Sequence, residues 1–81
     1  MIRILSCFKN DDDKLVFDIK FDEFELELFQ KEFKVSKDNP MYESYSIKEN
    51  NIPFIKTVLP SAININWNFI DYSYFVETIE N

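Results

Sequence analysis

The sequence predicts a small α+β domain: an antiparallel sheet of about four strands with two helices on one face, in the order ββααββ. Three observations carry that reading. Apolar and polar residues alternate with period two near both ends of the chain. A run of Glu, Leu, Gln and Lys with no β-branched residue fills Asp22–Phe33. A proline-bounded apolar stripe follows Asn51.

Residues Ile2 to Lys9 are apolar and β-prone. Ile2, Ile4 and Phe8 fall on one face and Leu5 and Cys7 on the other, so the segment reads as a strand at least partly covered on both sides. Asn10–Lys14 is a polar turn. Leu15, Phe17, Ile19 and Phe21 then alternate with Val16, Asp18, Lys20 and Asp22, giving one dry face and one wet face. The two segments make a hairpin.

Asp22–Phe33 carries two signals. Phe24, Leu26 and Leu28 alternate with Glu23, Glu25 and Glu27, as in a strand. Composition favours a helix, with Asp22 as its cap and Glu25 completing a capping box. Helix is the preferred reading. A polar loop, Val35–Pro40, ends it, because Pro40 pushes Asn39 out of helical geometry. Met41–Ile47 reads as extended or turn.

Asn51 is the predicted cap of a second helix. Pro53 fits only its first turn, Ile52, Ile55, Val58 and Leu59 form its apolar stripe, and Pro60 stops it. Ile63, Ile65, Trp67 and Phe69 alternate with Asn64, Asn66 and Asn68, which predicts a strand over Ser61–Phe69. Tyr72–Ile79 reads as the last strand, with a helix capped by Asp71 as the alternative. No repeat or linker divides the chain, so residues 1–81 form a single domain.

Composition narrows the function. The 81 residues are 46% hydrophobic and 17% aromatic, enough to build a core in a chain this short. The net charge is −6, and beyond Lys56 the only charged residues are Asp71, Glu77 and Glu80. Such a field repels phosphate backbones and anionic membranes and attracts a basic protein. No direct nucleic-acid or membrane binding is therefore expected. Solubility alone also accounts for charge of this size. Cys7 is the only cysteine, so no internal disulfide forms, and no signal peptide or membrane span is visible. The expected compartment is the cytoplasm.

The chain has no His and no Gly. It lacks the commonest general base and metal ligand and has no glycine-rich phosphate loop. Cys7 has no His to activate it and reads as a small buried hydrophobe. Asp11, Asp12 and Asp13 lack the spacing of a calcium loop and read as a solvated turn or an acidic knob facing a partner. Glu23, Glu25, Glu27 and Glu32 fit the wet side of an amphipathic segment better than a catalytic pair. The expectation is a protein that is not an enzyme and needs no cofactor and no metal. Tyr42, Tyr45, Tyr72 and Tyr74, with Glu43, Asp71 and Glu77 nearby in sequence, are either core rings or anchors for a basic partner. Trp67 reads as core.

Two stretches, Asn39-Pro40-Met41-Tyr42-Glu43-Ser44-Tyr45-Ser46-Ile47 and Asp71-Tyr72-Ser73-Tyr74-Phe75-Val76-Glu77, together with Leu15–Phe33, resemble a family of small acidic bacterial proteins. Some of these look like immunity proteins of contact-dependent growth inhibition and other polymorphic toxin systems. The resemblance implies a cytoplasmic protein that neutralises a cognate toxin domain, of nuclease type, by covering its active site or substrate surface. The partner-binding residues expected are Asp11, Asp12, Asp13, Tyr42, Glu43, Tyr45, Asp71 and Tyr72. The expected assembly is a monomer or a one-to-one heterodimer. The alternative is an acidic regulatory or adaptor module, or a nucleic-acid mimic that inhibits a basic protein.

Overall fold

The computed structural model describes residues 1–81. Strand β1 (Ile2–Lys9) turns into β2 (Leu15–Lys20). Helix α1 (Leu26–Glu32) follows, then the short strand β3 (Tyr45–Ile47). A 3₁₀ turn (Glu49–Asn51) runs directly into α2 (Ile52–Val58), and β4 (Tyr72–Ile79) completes the chain. The sheet is fully antiparallel in the order β2-β1-β4-β3. The predicted α+β class holds.

The element order is ββαβαβ, because the fourth strand comes from Tyr45–Ile47 and not from Ser61–Phe69. The alternation in Ser61–Phe69 is real but serves a different end. Residues 63–68 have no regular secondary structure, while Ile65, Trp67 and Phe69 still pack on the core. Trp67 and Phe69 stack at 5.9 Å, and both meet Tyr74 edge-on. An unladdered segment can half-bury alternate side chains in this way, as Ile65, Trp67 and Phe69 do. Asn68 then turns the chain. Its side-chain oxygen accepts the N–H groups of Ile70 and Asp71, and its carbonyl accepts that of Tyr72.

Register fixes which side chains face the helices. Leu5 lies opposite Val76 and Ile19, Cys7 opposite Tyr74 and Phe17, and Tyr74 opposite Ile47. Leu5, Cys7, Ile47, Tyr74 and Val76 join Phe29 of α1 and Ile55 and Val58 of α2 in one core. Both helices therefore cover the same sheet face. The other face carries Ile2, Ile4, Ser6 and Phe8 from β1 and Ser73, Phe75, Glu77 and Ile79 from β4. None of these belongs to that core.

Helix α1 starts at Leu26, not at Asp22. The N–H of Phe21 still bonds Arg3 and that of Asp22 bonds the Val58 carbonyl, which holds the backbone extended. Glu25 occupies the N-cap position with no side-chain cap, so the predicted capping box does not form. Phe29 is fully buried among Phe21, Phe24, Phe33 and Phe54, with centroids 4.2–6.4 Å away. Asn51 also does not cap through its side chain. That side chain is buried instead, accepting the Lys48 N–H at 2.9 Å and donating to Glu32 at 2.9 Å, which ties α1 to α2. No helix is long and apolar enough to cross a membrane.

Candidate functional site: an acidic knob at one end of the sheet

The β1–β2 turn and the start of β4 meet at one end of the sheet. With no glycine in the chain, the left-handed turn position falls to Asp13, at φ 58°. Aspartate tolerates that conformation better than most residues. The Asp13 N–H bonds the Lys9 carbonyl at 2.9 Å, and the Asp12 carboxylate accepts the Lys14 N–H at 3.0 Å. Asn10 joins the two segments. Its backbone N–H bonds the Asp71 carbonyl at 3.0 Å, its side-chain amide bonds the Ile70 carbonyl at 3.0 Å, and Ser73 Oγ donates to its side-chain oxygen.

These bonds bring Asp11, Asp12, Asp13 and Asp71 to one end, beside a shallow cleft of about 440 Å³ lined by Lys9, Asn10, Asp11, Ile70, Asp71 and Tyr72. The carboxylates do not converge on a point where a metal ion would sit. Ile70 stands among them at 88% exposure, the most exposed large apolar side chain of the chain. It was missed as a site residue, and its signal was phase. Ile63, Ile65, Trp67 and Phe69 occupy odd positions, and Ile70 breaks the alternation.

Tyr42 and Glu43 lie toward the opposite end, and Tyr45 sits opposite Val76 partway along β4. Arg3 spans that end, with its guanidinium 4.3 Å from the Phe24 ring centroid and 5.3 Å from that of Tyr42. It donates to the carbonyls of Met41 at 2.9 Å and Pro40 at 3.0 Å. Arg3 and Lys9 mark the two ends of β1, about 20 Å apart at about 3.3 Å per residue. The eight expected binding residues thus form two groups, not one. Tyr42 and Glu43 are exposed, whereas Tyr45 is half-buried against Phe33 and its hydroxyl accepts the Asn39 amide at 3.1 Å. Tyr72 is also half-buried, between the acidic cleft and a second, apolar one.

That second cleft, about 500 Å³, lies between the core face of the sheet and residues 62–66, and includes Cys7, Phe17, Ile19, Ile63 and Tyr74. Burial raises the pKa of the Cys7 thiol, partly offset by its hydrogen bond with Tyr74. Burial also raises the Tyr74 phenol, partly offset by the bond from the Asn68 N–H, which is 3.0 Å long. Both groups are neutral in the fold and hold their protons more tightly than the unfolded chain does. Their contribution is fully present below the unfolded values, near 8.5 for Cys and 10 for Tyr, and is lost as pH rises through the folded ones. Urea unfolding at pH 7.5, 9 and 10.5 is expected to show stability falling at the two higher values. Thiol labelling of the native protein is expected to track unfolding, and rapid labelling at pH 7.5 would contradict the buried placement.

Residues 2–77 match the family model described as a domain of unknown function, DUF7683. No curated protein and no solved structure matches the chain.

Proposed function

We propose that this chain, which belongs to the DUF7683 family, is a binding protein that docks its acidic knob on a basic surface of another protein. One observation carries the reading: two segments sixty residues apart in sequence gather four aspartates at one end of the sheet, where Asp11 and Asp71 share a cleft with an exposed isoleucine. Acidic groups at a protruding end speed encounter with a basic surface. An apolar side chain beside them is desolvated on contact and slows release. Neither role needs a catalytic base, a nucleophile or a metal.

The resemblance to immunity proteins supplies the finer reading. The partner is a bacterial toxin domain with a basic substrate cleft, of nuclease type, and the complex forms in the cytoplasm with one copy of each chain. A mimic of nucleic acid would instead present carboxylates in a long row, and the knob is compact.

The test is co-expression with whatever candidate toxin domain a neighbouring gene encodes. Restored growth and a copurifying complex are the expected results. Unabated killing by an active toxin, with no complex formed, would sink the toxin reading. A screen of the purified protein against basic nuclease domains would then probe the broader claim.

A further inference from the structure

The sheet has two free edges, β2 and β3. The β3 edge is three residues long. The β2 edge is longer, and its outward groups can be identified. The Phe21 N–H bonds the Arg3 carbonyl, so Arg3 and Phe21 form a hydrogen-bonded pair across β1 and β2. Such pairs recur every second residue in an antiparallel ladder, so Leu5–Ile19 and Cys7–Phe17 are hydrogen-bonded pairs as well. The backbone N–H and C=O groups of Asp18 and Lys20 therefore point away from β1. No turn, loop or side chain takes them up. The next outward N–H, that of Asp22, is held by Val58 at 3.1 Å, which closes the edge beyond Phe21.

The open edge thus consists of two exposed residues of opposite charge. An edge guarded only against association needs charge of either sign and no particular order. Here the order is self-complementary. If a second copy pairs antiparallel with a two-fold axis through Ile19, Asp18 faces Lys20 of that copy and Lys20 faces its Asp18. Each of these two pairs also exchanges both of its N–H···O=C bonds. On the core face Ile19 meets Ile19 and Phe17 meets Phe21. Neighbouring registers fail on charge: an axis through Asp18 opposes Asp18 to itself, one through Lys20 opposes Lys20 to itself, and one through Phe17 sets Asp18 against Val16, beside the register shift of the β1–β2 ladder, with no cation opposite it.

We propose that the β2 edge is a self-association site, at which two copies pair through Phe17–Phe21 in the Ile19-centred register and form one continuous sheet. The paired segment is short and each copy carries a net charge of −6, so the association is weak, with a Kd on the order of 100 μM. The surface is separate from the four aspartates of the knob.

Sedimentation equilibrium of the full chain from about 10 μM to 1 mM tests it. The wild type is expected to move from monomer to dimer over that range. Asp18→Lys and Lys20→Asp each place like charges opposite one another and are expected to weaken the dimer at least tenfold. The double exchange, Asp18→Lys with Lys20→Asp, restores the complementary order and is expected to return the Kd to within about threefold of wild type. Both side chains are exposed, and thermal melts check that every variant is folded. A wild type that stays monomeric at 1 mM, or a double exchange no better than either single change, would overturn the proposal.

Discussion

Replacing Phe29 with alanine is expected to cost about 3–5 kcal/mol, the range for removing a large aromatic side chain from a core. The site has little means of collapse. Phe29 is fully buried, and four other phenylalanine rings surround it at 4.2–6.4 Å. Those rings come from four parts of the chain: the end of β2, the approach to α1, the end of α1, and α2. Each loses a contact at once. A domain this small holds roughly 4–12 kcal/mol in total, so the variant should lose a large share of its stability and unfold at a much lower urea concentration than the wild type. The neighbour Leu28, 45% exposed, is the control, and its alanine variant should lose less than about 1 kcal/mol. Urea titration followed by Trp67 fluorescence distinguishes the two. Equal losses at both positions would mean that α1 does not dock through Phe29.

The second large effect lies on binding. Asparagine at positions 11, 12, 13 and 71 together is expected to slow association with a basic partner by about 100-fold at low salt, with a smaller change in dissociation. Asparagine is the suitable replacement because it tolerates the left-handed position of Asp13 and keeps an acceptor for the Lys14 N–H. The fold should therefore survive. The change removes two-thirds of the net charge, from −6 to −2, so a second variant that neutralises four carboxylates away from the knob is the control that separates the knob from the field of the whole molecule. Near 0.5 M salt the difference should shrink, since screening acts on exposed charges. Ile70→Ala should show the converse pattern, with faster release and a nearly unchanged association rate. Association rates that ignore the four aspartates would place the docking surface elsewhere.

The sequence made the sheet legible where two rules agreed. In β1, β2 and β4 the apolar alternation coincides with β-prone side chains and with turn residues at the boundaries. It misled at Ser61–Phe69, where the same alternation buries aromatic rings without a ladder. Periodicity reports which side chains are dry, and it is silent on whether a neighbouring strand is present. β3 was hard to see for the opposite reason. Three residues are too few to show a period, and Tyr45–Ile47 becomes a strand only because β4 lies beside it.

The site was legible in part for a similar reason. Asp11, Asp12, Asp13 and Asp71 were identifiable as exposed acids, but their meeting depends on Asn10 reaching Ile70 and Asp71, a contact with no local signature. Tyr42 and Glu43 were named with them and belong to the far end. Gln30 and Asn51, polar by composition, are buried because backbone carbonyls, a backbone N–H and a carboxylate satisfy them.

The pairing of β1 with β4 shapes how the molecule is made. The first strand synthesised takes the last one as its central partner, with Ile2 opposite Ile79 and Lys9 opposite Tyr72. Until residues 72–79 leave the ribosome, β1 has only the β2 hairpin beside it, and its second edge is bare. The contacts that close the core join the most distant parts of the chain, so loop-closure entropy must be overcome before they form. Folding of the sheet is therefore expected to wait for β4 and to be slow for a domain of this size. The exposed edge of the nascent β1 is then the vulnerable point, open to aggregation for as long as its partner strand is missing.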